Sequence, residues 1–197
     1  MLFRASKMLR AQSVAAILAG ALLTGCASMP LTSMVRLVRT DFVTIDPAVL
    51  RVAVKAPQSI RPRRDGVRLK VTLAAGADKQ VHDFALADSD DASELLSLRS
   101  EVSPGTAIHV FRLAPEDVRR VIAIREEVLA AKRRGVKGSL GIGIDAEGCR
   151  VGTPPAKVLI TTYLRTESSG GFFPLARDID VLESVALDQR DGKLPPC

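Results

Sequence analysis

The chain has few of the residues that most often carry catalysis or bind metal ions. Its 197 residues include two histidines, three cysteines, one tyrosine and no tryptophan. The metallopeptidase motif H-E-x-x-H and the serine hydrolase motif G-x-S-x-G do not occur. The sequence therefore lacks the familiar signatures of zinc peptidases and serine hydrolases. With one tyrosine and no tryptophan, its core must consist mainly of Val, Leu, Ile and Phe.

The N-terminal region is basic and carries only a short apolar run. Three basic residues and no acidic ones precede the ten-residue run 14–23. A membrane-spanning helix needs roughly 20 apolar residues, so this run is too short to span. The string Leu23-Thr24-Gly25-Cys26 follows it. A basic start, a short apolar centre and small residues before a cleavage site are typical of a secretory signal.

The Leu23-Thr24-Gly25-Cys26 string resembles the lipobox of bacterial lipoproteins, a resemblance that covers only the first 26 residues. It implies lipid attachment to the thiol of Cys26 and removal of residues 1–25. Two acyl chains suffice for stable attachment to a membrane. Because Ala27, not Asp, follows the cysteine, the resemblance implies the periplasmic side of the outer membrane in a Gram-negative cell. The alternative is an ordinary cleaved signal with a chance cysteine.

The charge balance does not favour nucleic-acid binding. Removing residues 1–25 takes away three of the 28 basic residues and none of the 22 acidic ones, which leaves a net charge of +3. We expect a tether at 26–34, one β-rich domain at 35–190 and a C-terminal tail at 191–197. A domain of this length can build a substantial core.

Alternating apolar residues predict a mainly β (α+β) fold, an antiparallel sheet or sandwich of about seven strands. Strands are expected at 50–55, 68–73, 79–87, 106–113, 138–145, 157–165 and 172–180. The first two are expected to pair across a turn region at 57–66, and the last two across a hairpin loop at 166–171. A short helix is expected at 90–99.

One long helix is expected at 115–134. Pro115 suits a first helical turn, and Gly135 is a natural stop. At 100° per residue, one apolar face holds Val118, Val121, Ile122, Val128 and Leu129. Arg125 falls within this face. It could snorkel with its stem over apolar surface, or be buried against a carboxylate such as Asp178 or Asp180.

Two features suggest specific sites in the domain. A basic patch, predicted on a turn and strand face, could contact anionic lipid headgroups or an acidic partner: Arg61, Arg63, Arg64, Arg68 and Lys70. A plain solvated surface is the alternative. Cys149 and Cys197 remain once Cys26 is modified, and in an oxidising compartment they are expected to form a disulfide, with free buried thiols as the alternative.

Other candidate residues have structural explanations. His82 and His109 alternate in phase with apolar residues, so we interpret them as hydrogen-bonded core residues with no metal or catalytic role. The acids at 88–94 fit a helix N-terminus better than a calcium loop. The segment 138–144 does not match a nucleotide-binding loop; it fits a strand with one nearly bare face, or a groove for an extended ligand.

The sequence thus favours a lipid-anchored, non-catalytic accessory or binding module of the cell envelope. Its partners would be the membrane, through the anchor, and an envelope protein, with no cofactor and no nucleic acid. The alternative is a small envelope enzyme that uses carboxylates. Asp178 and Asp180 would share a face if their segment is a regular strand, which makes them the candidate pair.

Overall fold

The computed structural model describes residues 45–75, 78–183 and 194–197. The expected signal peptide at 1–25 and tether at 26–34 lie outside these ranges, as do residues 35–44 and 184–193. The strands are β1 (Arg51–Pro57), β2 (Ile60–Ala75), β3 (Asp78–Asp88), β4 (Thr106–Leu113), β5 (Ser139–Arg150), β6 (Leu159–Arg165) and β7 (Phe173–Asp180). The α-helices are α1 (Ala92–Ser97) and α2 (Pro115–Arg133), and single 3-10 turns lie at Pro47–Val49 and Arg99–Glu101.

The seven strands form one curled antiparallel sheet in the order β5-β2-β3-β4-β1-β6-β7. This confirms the expected mainly β fold, as a single sheet with one long helix. The hairpin between β6 and β7 is also confirmed. Because the sheet curls, residues from strands near its two ends join the same core on the inner face, including Leu69 and Val71 of β2 and Leu164 of β6.

Alternation along the strands places the core on the inner face. In β1, Val52 and Val54 are buried within the main core. Ala53 points the other way but is also buried. It belongs to a smaller cluster with Leu98 and Tyr163 on the outer face. Strand β1 is therefore covered on both sides.

The expected pairing of the first two strands is wrong. Strand β1 pairs with β4 and β6, whereas β2 pairs with β3 and β5. A strand has only two edges for hydrogen bonding, and in both strands other partners occupy them. Strands β1 and β2 therefore lie in different parts of the sheet.

The expected turn region at 57–66 is mostly strand. Strand β2 already begins at Ile60, and its pairing with β5 shifts register between Pro62 and Val67. Asp65 lies at this irregularity with a positive φ of 60°. The Asp65-Gly66 pair therefore marks a β-bulge inside a long strand, a feature that uses the same residues as a turn.

Helix α2 confirms the expected long helix. It begins at Pro115 and ends at Arg133, and Gly135 follows with a φ of +78°. A glycine adopts this left-handed conformation without steric cost. The helix residues packed against the core are Val118, Val121 and Ile124. Of the five residues expected on the buried face, only Val118 and Val121 are among them, and Ile124 was not expected there.

Arg125 follows the snorkelling interpretation. Its side chain is partly exposed, and its Nη1 donates a hydrogen bond to the backbone oxygen of Ile45 at 3.3 Å. Within the described ranges it has no carboxylate within 4 Å. Neither Asp178 nor Asp180 is therefore its ion-pair partner.

Candidate functional site

An apolar cleft lies between the second half of helix α2 and the strands beneath it. It has a volume of 740 Å³. Small-molecule sites commonly enclose about 300–1,000 Å³. The walls are mainly apolar, from α2, the segment after it, β2 and β5: Leu73, Ala74, Val128, Ala131, Val136 and Leu140. We call this space the α2 cleft.

The cleft arises because α2 closes against the sheet only along its first half. Val118, Val121 and Ile124 pack against the core, but Val128 and Ala131 line the cleft and remain partly exposed. A small cavity of 50 Å³ beside Val128 and Ile124 also borders Leu140, which lines the main cleft. The apolar surface is therefore continuous from the core to the cleft.

The charged lining of the α2 cleft consists of three cations and two acids. Lys132, Arg134 and Lys137 line one end, at the end of the helix and just beyond it. Asp78 and Glu127 also line the cleft. In the described part of the chain, none of these five side chains has an ion-pair partner within 4 Å.

The two histidines lie on the inner face of the sheet, as expected from the alternation, but both are only partly buried. His82 is opposite Val71 in β2, and His109 is opposite Val54 in β1. Burial lowers the pKa of His109. The expected hydrogen bond is not found at the buried Nε2 of His82, which has no partner among the residues that the structure describes. His82 occupies the same face of β3 as Gln80, which lines the α2 cleft.

The predicted basic patch lies along β2, and two of its five bases form ion pairs. Arg63 pairs with Glu147 at 3.7 Å, and Lys70 with Asp145 at 2.5 Å. In register, Arg68 is also opposite Asp145, and Lys70 is opposite Asp83. With Asp65, four acids accompany the five bases, so the local charge is close to +1. The three cations without an ion pair among the described residues are Arg61, Arg64 and Arg68.

The carboxylate pair predicted in the last strand does not form as expected. Two residues of β7, Arg177 and Asp178, stand opposite the single residue Thr161 of β6, which is a bulge. Asp178 has a φ of 52°, and its carboxylate accepts a hydrogen bond from the Thr161 hydroxyl at 3.3 Å. Asp180 accepts one from the Val158 amide at 3.2 Å. The bulge interrupts the alternation that would place both acids on one face.

Glu94 forms a buried polar network that the sequence pattern did not reveal. Its side chain is 1% exposed. One carboxylate oxygen accepts hydrogen bonds from Arg51 and Arg165, both at 2.6 Å, and the other from Ser89 at 2.6 Å. Helix α1, capped by the Asp91 side chain, holds Glu94 over the outer face of the sheet. This network ties α1 to strands β1 and β6.

Glu101 forms a second network beside the first. It accepts hydrogen bonds from the Tyr163 hydroxyl at 2.8 Å and from Arg177 at 3.1 Å. The bond from Arg177, and then that from Tyr163, hold the pKa of Glu101 below its ordinary value. Burial, and then the bond to Glu101, raise the pKa of Tyr163. These groups are mutually satisfied and fasten the 3-10 turn to the sheet.

Cys149 and Cys197 form the predicted disulfide, with their Cα atoms 5.0 Å apart. The bond holds the end of the C-terminal tail beside strand β5. There the Arg150 amide donates to the Pro195 oxygen at 2.8 Å, and the Cys197 amide to the Arg150 oxygen at 3.1 Å. The expected pinning of the tail is therefore present.

The glycine-containing segment is strand β5, with Leu140, Ile142 and Ile144 packed against the core. A Cβ at Gly141 would meet only Thr72, at 3.7 Å. A Cβ at Gly143 would meet only Lys70, at 3.9 Å. The bare face therefore contacts only the adjacent strand, and within the described residues no other element packs on it.

Three further observations concern the predicted lipid attachment, metal binding and membrane spans. Cys26 lies outside the described residues. No group of three His, Cys, Asp or Glu side chains that could hold a metal ion occurs in the part of the chain that the structure describes. Of the helices in that part, none is both long enough and apolar enough to cross a membrane.

Comparison with known proteins found no matching family model, no similar curated protein and no similar solved structure. The candidate site therefore rests on the chemistry and geometry of this chain alone.

Proposed function

We propose that this protein is a lipid-anchored, non-catalytic accessory or binding module of the bacterial cell envelope, held at the periplasmic side of the outer membrane through Cys26. The observation that carries the binding function is the α2 cleft, an apolar space of 740 Å³ with a polar rim. The anchor rests on the lipobox-like string alone. A lipid tether suits such a module because it raises the local concentration of the domain near membrane partners.

The proposed protein partner contacts the strand face that carries Arg61, Arg64 and Arg68. A polybasic surface gains about 1 kcal/mol per basic residue near an anionic membrane. A local charge close to +1 offers little attraction of that kind. We therefore favour a partner protein over a lipid surface. The acidic groups of a protein can pair with each of the three arginines, whereas attraction to lipid headgroups depends on the summed charge.

The experiment replaces these three arginines by glutamate in the chromosomal copy and follows crosslinking in intact cells by mass spectrometry. We expect a specific crosslinked envelope protein to be lost, together with any phenotype of the deletion strain. A matched control carries glutamate at three exposed cations elsewhere: Lys79, Arg119 and Arg133. If the crosslinked protein is lost equally in both variants, or is lost in neither, the strand face is not the contact surface.

A small envelope enzyme is the second candidate, and one observation favours it. Asp178 has a left-handed backbone conformation beside Thr161, and such conformations recur at functional sites. Under the binding proposal, His82→Ala, His109→Ala and Asp178→Asn variants that fold should keep the phenotype. Turnover of an envelope substrate by the purified protein, abolished by Asp178→Asn, would establish the enzyme instead.

A further inference from the structure

We infer that the α2 cleft binds a single-chain anionic amphiphile, such as a long-chain carboxylate or an anionic lysophospholipid. The acyl chain would lie against the apolar walls, and the head would meet Lys132, Arg134 and Lys137. This inference deepens the proposed function by naming a ligand class, and it rests on that proposal for the supply of lipid at an envelope membrane.

The apolar walls account for the acyl chain. Leu73, Leu140 and Val128 present aliphatic surface from two strands and the helix, and Val136 remains 46% exposed near the mouth. The transfer of each methylene from water to such surface is favourable. A chain ligand would therefore meet aliphatic surface from the helix and from the strands.

The placement of three cations at one end of the cleft, and not the net charge of its lining, accounts for the anionic head. The three cations lie within six residues at one end of the cleft, whereas Glu127 lies earlier on the helix. The rise per residue separates Glu127 from Arg134 by about 10 Å along the axis. Asp78 and about half a negative charge at the helix C-terminus oppose the cations in part. The end groups of the helix already have partners, since the Arg134, Gly135 and Val136 amides donate to its last carbonyls.

The absence of tryptophan from the sequence allows a direct binding assay. A single reporter, Val136→Trp, is placed at the mouth of the cleft, and a matched control, Ala123→Trp, on an exposed position of the same helix. The probe is dibromostearic acid, because bromine atoms quench tryptophan fluorescence only near contact. We expect saturable quenching of the Val136→Trp reporter and little quenching of the control.

The rim is tested in the Val136→Trp background with Lys132→Glu and Arg134→Glu together. We expect affinity for the carboxylate to fall about tenfold or more, the equivalent of losing one charge-assisted hydrogen bond. Affinity for the methyl ester of the probe should stay unchanged. Arg133→Glu, which replaces a neighbouring cation that does not line the cleft, is the matched control. Comparing the brominated carboxylate with a brominated lysophosphatidylglycerol identifies which anionic head is preferred.

The full chain carrying Cys26→Ser is used, so that the binding result does not depend on lipid attachment. Equal quenching of both reporters, no quenching at all, or equal affinities for acid and ester would overturn the inference. Binding that occurs only after deletion of residues 35–44 would also overturn it, because that segment, and not a lipid, would then occupy the cleft in the intact protein. Any of these outcomes leaves the anchor proposal intact, whereas failure of lipid labelling in the parent leaves the cleft result intact.

Discussion

Replacing Glu94 by Ala should destabilise the domain more than any surface substitution. The carboxylate is almost completely buried and joins Arg51, Arg165 and Ser89. The substitution would leave two guanidinium groups facing each other across a cavity. Their side chains are 18% and 28% exposed, so water can reach them in part.

The expected loss follows from this geometry. Removing one partner of a buried ion pair costs about 3–5 kcal/mol. Since both arginines retain some solvent contact, we expect a decrease of about 3 kcal/mol in the free energy of unfolding, at the lower end of that range. Glu94→Gln keeps one acceptor oxygen and should cost about 2 kcal/mol, near the cost of losing a hydrogen bond to a charged group.

Urea denaturation followed by circular dichroism measures these differences. Glu126→Ala, at an exposed helix position, is the control and should change the free energy of unfolding by less than about 0.5 kcal/mol. A loss below about 1 kcal/mol for Glu94→Ala, with an unchanged denaturant slope, would refute the reasoning. It would mean that the network behaves like an exposed ion pair.

Three further predictions concern the disulfide, the tyrosine and the helix end. Cys149→Ser or Cys197→Ser should lower the free energy of unfolding by up to about 4 kcal/mol in oxidised protein; equal stability of parent and variant in denaturant would contradict this. Tyr163, the single tyrosine, should titrate by ultraviolet absorbance above its ordinary pKa of about 10, and because the folded state holds this proton more tightly, stability should fall as pH rises beyond 10. A Tyr163→Phe variant should lose this decrease in stability above pH 10. Titration of Tyr163 at its ordinary pKa would count against its hydrogen bond to Glu101. Gly135→Ala should cost about 1 kcal/mol in thermal unfolding because of its positive φ, whereas Gly171→Ala, at a position outside the left-handed region and in open space, should cost less.

The elements of the fold were predictable because their signals are local. Alternation in β1 and β3 and the terminal signals of α2 depend on neighbouring residues only. Strand pairing was not predictable in the same way, since the partners of β1 and β2 are chosen by the whole sheet. The bulges at Asp65 and Asp178 use residues that also favour turns, so sequence alone could not separate the two outcomes.

The polar networks and the cleft could not be predicted from the sequence, for a different reason. The acids at 88–94 fitted a helix N-terminus, and Asp91 does cap α1, but Glu94 turns inward to meet arginines 43 and 71 residues away. Such contacts have no signature along the chain. The cleft depends on how far the second half of α2 stands from the sheet. Periodicity shows which face of a helix is apolar but not whether that face is fully covered.

The state of Cys26 tests the central claim most directly. Cells expressing the parent are grown with an alkyne analogue of palmitate, and the isolated protein is analysed by intact-mass measurement and membrane fractionation. We predict a labelled chain that begins at Cys26 and sediments with membranes, and an unlabelled Cys26→Ser variant that is unprocessed or soluble. An unlabelled parent, together with a Cys26→Ser variant that still sediments with membranes, would contradict the account.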